Sequence, residues 1–548
     1  MYNDDVKSLL SRADRLFSER KPLLTRYQSI ADVFYPVRAD FTADHTLGED
    51  FAAHMSTSYT AVKHDELSNI VGNILRPDDK RWLMARTKNY DRLGADEKDY
   101  LERVTVVMSN AFNDPASGFV AAGAQADADV TAFGNAVLSC QINWKVPSVL
   151  WQCWHLRDVV WEYDYDGTLK FVARRWFTSP VEDVVKLFPK TAPDRMKRDA
   201  EREPSRKARI KHVVVKSDYY GGSSKKWRGK KYISLFIDCE SKTVLEEKGL
   251  NNSYYAIPAW RRLSGTQYAF SPCTTLAIPD ARMLQDMALT MIEAGQKAVD
   301  PPILARGEVI DNDIEGFAGG VTFIDSEYDA RLGPALEPWR TASSALPYGH
   351  DVMNDVKAAI NEAFYLNKIG LPPIGGGMSP LEVQQRVQEY IMQALPLFKP
   401  LEGSYNRQIC DLQFDVLMEA GGFGSVRDIP EGLAGRDIDF EFENPLRSAL
   451  DKAKGQMYLQ ALGIVAQAAQ ADGAIAGILN NKAAIRDVLD SSGIPRAWIR
   501  SEDDIAEMEE LASDEARIRE IMSQIKEGAE VAQSVGEAGR ALGELDNA

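Results

Sequence analysis

The residues GLPPIGGGMSPLEVQQR, 370–386, set three consecutive glycines beside two prolines, a composition that could cradle phosphate. A phosphate loop needs a strand feeding the glycines, so that backbone N–H groups face the anion, and a Lys with Ser or Thr to complete it. Here a helical pattern precedes Pro372 and Pro373, and no Gly-Lys-Ser/Thr succeeds Gly375, Gly376, Gly377 and Met378. The chain instead continues into a helix start, in which Ser379 caps, Pro380 suits the first helical position and Glu382 reaches back to the cap. The segment therefore predicts a loop free to move between two firm helical anchors.

Two basic clusters offer the other local chemistry. KRDAEREPSRKARIK spans 197–211, and SSKKWRGKK near 224–232 interleaves Trp227 with Lys225, Lys226, Arg228, Lys230 and Lys231. Cations alternating with an aromatic ring are what a nucleic-acid or partner contact uses, although a solvated hairpin turn has the same composition. The six histidines, His45, His54, His64, His155, His212 and His350, fall into no ligand spacing, so metal and cofactors are not expected. Cys153 lies in an apolar aromatic run beside Trp154 and His155, not in the setting of an activated thiol. Carboxylate pairs such as Asp78–Asp79 and Asp503–Asp504 are expected by chance among 81 acidic residues and read as solvated faces.

Composition bounds the rest. A chain of 548 residues with 45% hydrophobic and 26% charged residues is expected to fold, as three or four domains or one elongated subunit. Five scattered cysteines, Cys140, Cys153, Cys239, Cys273 and Cys410, point to free thiols in a reducing compartment. The charged start predicts no signal peptide. The most apolar window, Ala461 to Leu479, contains Asp472 and reads as a buried Ala-rich helix, so no membrane association is expected. The net charge is −17, with 14 Asp and Glu against 4 Lys and Arg from Glu502 onward. Such a chain is not built for tight phosphate binding, which draws on Lys and Arg.

Periodicity predicts a helix over Asp4–Phe34, a second over Tyr59–Leu75, a short strand at 81–85, and helices over Lys98–Phe112 and Phe119–Phe133. From Asn135 the period changes to two. AVLSCQINW, VVWEYDYDGTLKFVARRWF, KHVVVKSDYY, KYISLFIDCE and KTVLEE read as antiparallel strands with a turn at Asp166–Gly167. A helix then opens at Pro279 and runs about 21 residues, roughly 31 Å, with Met283, Leu284, Met287, Met291, Ile292 and Val299 on one broad apolar face. After a β and loop segment comes a second long helix from Gly349. A helix from Leu381 toward Glu419 carries Pro396 and Pro400 as expected kinks, and Asp439–Pro445 reads as a returning strand. The fold class is α+β, mainly helical.

In this order, QSIADVFYP, LRPDDKRWL, AIPDARMLQDMALTMIEAGQKAVDPPILA and SPLEVQQRVQEYIMQALPLFKPLEGSYNRQICDLQFDVLMEAGGF resemble the portal, or head-to-tail connector, proteins of short-tailed double-stranded DNA bacteriophages. The resemblance covers residues 10 to about 460. It implies a portal-type subunit with a wing at 1–270, stem helices at 271–300 and 348–369, and a clip at 301–347. It further implies a tunnel loop at 370–379, a kinked wing helix and returning strand at 380–446, and a helical crown or barrel at 447–548. It places Lys368, Pro372, Pro373, Gly375, Gly376, Gly377 and Met378 at a DNA channel.

By the same resemblance the protein is not an enzyme. The resemblance implies a ring of twelve at the portal vertex of the virion capsid, assembled in the host cytoplasm. There the ring passes double-stranded DNA during packaging, retention and ejection, and meets terminase, major capsid and scaffold proteins, and tail adaptors. Twelve copies would carry a charge on the order of −200, which suits a conduit along which DNA slides. A cytoplasmic metal-dependent nucleic-acid-processing enzyme is the alternative; no ordered carboxylate motif supports it. A helical scaffold would need internal repeats, and none is seen. Deleting Gly375–Gly377 is expected to leave ring assembly intact while impairing DNA packaging or retention in particles; loss of folding would instead make the glycines a structural hinge.

Overall fold

In a computed structural model of the chain, the apolar residues of the N-terminal segment fold as two helices, α1 (Tyr2–Glu19) and α2 (Lys21–Phe34), where their spacing predicts one. Arg20 makes the break. Its backbone departs from helical geometry (φ −88°, ψ 2°), and Pro22 in the next turn has no N–H to donate to the preceding one. The buried Arg20 guanidinium donates to the carbonyls of Leu156 (2.7 Å) and Val159 (2.5 Å) and to that of Arg157.

The structure describes residues 2–443 except 45, 47, 78–80, 89, 91–92, 144–147, 222–226, 228, 302, 306–330, 332–335, 339–345, 370–392, 394–395, 426–427 and 434–437, and beyond 443 only residue 465. The chain divides into two units, Met1–Leu446 and Arg447–Ala548. The described architecture is that of the first, and the expected crown or barrel at 447–548 lies outside the described residues.

Helix α3 (Tyr59–Leu75) and helix α5 (Phe119–Phe133) have the bounds that periodicity predicts, with strand β1 (Leu83–Arg86) and helix α4 (Ala95–Asn113) between them. β2 (Leu138–Asn143) pairs with β3 (Ser148–Cys153), a strand that alternation alone does not reveal. β4 (Val159–Tyr163) and β5 (Leu169–Trp176) come next, joined through Gly167 at φ +78°. Two short helices, α6 (Val181–Leu187) and α7 (Asp194–Arg202), interrupt the strands and hold much of the first basic cluster. β6 (Ile210–Lys216), β7 (Tyr232–Asp238) and β8 (Val244–Leu250) complete a five-stranded antiparallel sheet in the order β4-β5-β6-β7-β8. The short β9 (Tyr255–Ala256) returns to pair with β2.

The period of two sorts the sheet's faces. Phe171, Ala173, Val213, Val215, Ile233, Leu235 and Ile237 bury one face against Val6, Leu9, Leu10, Ala13, Leu16 and Phe17 of α1. Ile210 and Phe236 turn the other way, to Val181, Val184, Phe188 and Met196 of the α6–α7 pair. Each large side chain removed from water contributes about 1.5–3 kcal/mol, so the two layers fix α1 and the insertion on opposite faces.

The first long helix, α8 (Pro272–Val299), begins seven residues before the predicted start and continues through Pro279. Tertiary contacts set that start: Ser271 caps the helix and its hydroxyl donates to the Thr131 carbonyl (2.5 Å), while Thr274 Oγ1 donates to that of Ala132 (2.7 Å). β10 (Ile303–Ala305) and β11 (Leu336–Pro338) pair antiparallel before α9 (Leu346–Ala363). α9 stops at Tyr365, at φ +58°, and the chain resumes as the short α10 (Leu366–Ile369). Residues 396–401 are helical, without a break at Pro400. The irregularity is a π-helical turn at Glu402–Asn406 that leads into α11 (Arg407–Glu419). The expected returning strand is β12 (Asp439–Phe442), antiparallel to β1.

Gly134 closes α5 at φ +85°, and a Cβ there would lie 2.4 Å from Phe270 C and 2.5 Å from Ser271 N. Gly134→Ala is expected to destabilise the chain by about 3 kcal/mol or more, because both the backbone angle and the main chain of the α8 start must shift. Gly167→Ala, where nothing lies within 4 Å, should cost only about 1 kcal/mol. Urea unfolding of the two variants checks the contrast.

Candidate functional site

α8 and α9 form an antiparallel pair, with Met291 of α8 against Gly349 of α9, where a Cβ would meet the sulfur at 2.7 Å. Cys273, Thr274, Ala277, Ala281, Leu284 and Ala288 form the buried face of α8. The face that looks like one stripe in sequence therefore divides. Leu284 is buried, whereas Leu276 and Met283 are exposed on one flank and Leu289 (50%) on the other. At about 100° per residue Ile292 (50%) and Val299 (88%) share the angle of buried Thr274 and Ala281, and they are exposed because the helix has run past the core there. Tyr348 at the start of α9 is also exposed.

The loop residues Pro372, Pro373, Gly375, Gly376, Gly377 and Met378, with the capping pair Ser379 and Glu382, lie outside the described residues. Lys368 is placed on α10, one turn past the left-handed Tyr365. Of the basic hairpin, Lys225, Lys226 and Arg228 also lie outside them. Trp227 is engaged within the chain: its indole N–H donates to Glu247 (2.8 Å), and its ring covers Gly249, where a Cβ would meet it at 2.7 Å. Lys230 donates to Asn251 (2.9 Å). Burial raises the carboxyl pKa of Asp415 on α11, and Lys231 lies close enough to draw it part of the way back. In the first cluster Arg206 pairs with Asp199 and Glu240, as does Arg195 just ahead of it, and Lys211 pairs with Asp14 (2.5 Å). Arg206, Lys211 and Lys230 are thus answered from within the chain.

Arg76 anchors the floor beneath the long helices. It sits just past α3, reaches both carboxylate oxygens of Asp127 on α5 (2.5 Å) and lies 4.7 Å from the centre of the Tyr405 ring in the π turn. Asn406 donates to the Leu75 carbonyl (2.9 Å) and accepts from Arg76 (3.4 Å). Gly72 leaves room for the carboxylate, since a Cβ there would lie 2.9 Å from Asp127 Oδ2. Burial pushes the Asp127 carboxyl up, and the guanidinium and the Tyr405 hydroxyl pull it back. The sequence does carry a signal of this site: two acids, Asp127 and Asp129, inside an Ala-rich apolar helix. Asp129 takes Arg38 (2.8 Å).

Among the described residues no group of three or more His, Cys, Asp and Glu could hold a metal ion, and no helix is long and apolar enough to cross a membrane. The five cysteines are free thiols. Burial raises the pKa of each, Cys153 further through Asp129.

The family described as bacteriophage head to tail connecting protein matches residues 6–499. The chain is 20% identical over 317 residues to the portal protein of Salmonella phage epsilon15, over 57% of this chain and 55% of that protein, so it spans about half the length of this curated relative. Two solved structures are similar. A chain from the neck of an empty GTA particle covers 85% of this chain and 94% of its own at 11% identity and a TM-score of 0.39. One from the virion of a native gene transfer agent particle covers 80% and 91%, at 10% and 0.38.

The perturbed histidines serve packing. His64 of α3 is buried and donates from Nε2 to the Ala128 carbonyl (3.1 Å), and burial lowers its pKa to about 4. His212, buried between Ser234 and Tyr255, is lowered in the same direction by burial and by Arg174. A histidine whose folded pKa lies below its unfolded value gives stability that is present above about pH 6.5 and is lost as the pH falls toward 4. For His64 that share is on the order of 3 kcal/mol. Urea midpoints should therefore drop between pH 7 and pH 4.5, and His64→Gln should reduce the drop by that share.

Proposed function

Since the chain belongs to the bacteriophage head to tail connecting protein family, we propose that it is a structural portal subunit, closing into a ring around a channel for double-stranded DNA. The observation that carries this reading is the pair of exposed apolar flanks on α8. A closed ring is built from heterologous contacts, so each subunit must offer two different surfaces to its two neighbours. Leu276 and Met283 to one side of the buried face, and Leu289 to the other with Ile292 and Val299 beyond the core, meet that requirement on a single long element. α9 covers the face between them.

In this reading residues 1–270 are the wing, and α8 and α9, within 271–300 and 348–369, are the stem. The segment 301–347, with its β10–β11 pairing, is the clip that meets terminase and tail adaptors. Residues 370–379 are the tunnel loop, 380–446 the return through the wing, and 447–548 a crown or barrel. The portal vertex of the virion is the place of action, with capsid and scaffold proteins against the wing. A chain charge of −17 repels the DNA backbone and supports passage over retention by contact. A ring of twelve is the number proposed.

Electron microscopy of the purified full-length chain is expected to show closed rings with a central hole; monomers, or dimers without a hole, would overturn the portal reading. Leu289→Asp with Ile292→Asp should convert rings to folded monomers, because each buried aliphatic side chain contributes about 1.5–3 kcal/mol per interface. Mass measurement in solution alongside circular dichroism separates that outcome from unfolding.

A further inference from the structure

Residues Ser56–Tyr59, between the N-terminal loop and the body of α3, hold both long helices at one level. On α8, the Gln285 side-chain oxygen accepts from the backbone N–H groups of Ser56 (2.7 Å) and Thr57 (3.0 Å), and its nitrogen donates to the Thr57 carbonyl (2.8 Å). On α9, the Tyr59 hydroxyl donates to Asn361 Oδ1 (2.9 Å) and lies 3.3 Å from the Lys357 carbonyl. The Lys357 ammonium stands 5.5 Å from the centre of the Tyr59 ring. Four consecutive residues thus contact both helices at once.

The level at which they do so is a boundary. Cys273, Thr274, Ala277, Ala281 and Leu284 bury α8 on the N-terminal side of Gln285, and past it only Ala288 is buried. No residue of α9 before Val356 is buried. Each helix therefore passes from an embedded part to an exposed part where the strap grips it. Gln285 suits this task chemically, because its amide offers an acceptor and a donor in one plane to a peptide that offers the complement. A glutamate would have the same shape and no hydrogen for the Thr57 carbonyl. An asparagine would fall one methylene short.

The geometry points to Gln285 and Tyr59 as positioning residues that hold the exposed halves of α8 and α9 at a fixed angle to the N-terminal bundle. Resting on the ring reading, they thereby set the bore that the stem presents to DNA. Neither residue needs to touch DNA for this. Both act through the direction in which the paired helices leave one pivot.

The test compares the full-length chain with Gln285→Ala, Gln285→Glu and Tyr59→Phe, by hydrogen–deuterium exchange and by electron microscopy of the rings. Rings of the wild-type subunit number are expected, with exchange in 289–299 and 346–355 about tenfold faster and a wider spread of stem bore. Exchange in the sheet strands 210–216 and 232–238 should stay unchanged. Gln285→Glu should behave like Gln285→Ala despite its shape. Exchange in the two segments within twofold of wild type in all three variants would overturn the assignment, and so would an equal rise in the sheet, which would mark general destabilisation. A wild-type chain that forms no ring would remove the ring reading and the bore with it, while the exchange results would still decide whether Gln285 and Tyr59 hold the helices.

Discussion

Arg76 and Asp127 form an ion pair in the interior of the first unit, and satisfying it dictates the arrangement of α3, α5 and the returning helix. Two charges taken out of water are tolerated only when their remaining hydrogen-bonding positions are filled, and breaking one such pair costs about 3–5 kcal/mol. Asn406 and the face of Tyr405 supply that filling for Arg76. They come from the π-helical turn Glu402–Asn406, whose extra residue per turn brings two successive side chains inward. Two turns further, Gln413 accepts from the Trp151 indole (3.1 Å) and donates to the Met108 carbonyl (2.9 Å), so the same helix also fixes α4 and β3. A returning helix held by buried polar contacts cannot slide, because every register but one leaves a buried donor or acceptor unpaired.

From this fixed floor the two long helices depart. The start of α8 is set by hydroxyls of Ser271 and Thr274 on the last carbonyls of α5, and the ring contact of Phe34 with Phe364 (5.4 Å) closes the far end of α9 on α2. The hairpin is therefore held by hydroxyls and aromatic packing where it is embedded and carries exposed apolar side chains where it emerges. In the proposed ring, that gradient suits a part that meets further copies of itself. It also gives the acidic balance a place in the proposed function, since a passage for DNA works by excluding attraction, and Arg195, Arg206 and Lys211 are paired with Glu240, Asp199 and Asp14 within the chain.

Much of the secondary structure is local and legible as such. The bounds of α3 and α5 come from apolar spacing with Pro77 and Gly134 as stops, and the strands of the sheet from alternation between turn residues. The break at Arg20 is not legible, because the carbonyls that draw the guanidinium out of the helical run lie 136 and 139 residues away. Pro279 suggests the wrong start for α8 for a related reason: proline is favoured in a first turn, but its lost hydrogen bond is tolerated inside a helix whose true start is pinned by α5. In the basic hairpin, composition does not tell a ring offered to a partner from a ring folded over Gly249.

The order of segments along this chain, and the acid that pervades it, were determined by the sequence alone and suffice for its family. Periodicity and composition are properties of neighbouring residues, so they survive reading without coordinates. Which apolar residues of α8 are core and which face outward, what Arg76 pairs with, and why Gln285 interrupts a run of methionines were decided only by tertiary structure. Those contacts join residues separated by 51 positions for Arg76 and Asp127 and by 228 for Gln285 and Thr57, and nothing in the local sequence records that the chain brings them together.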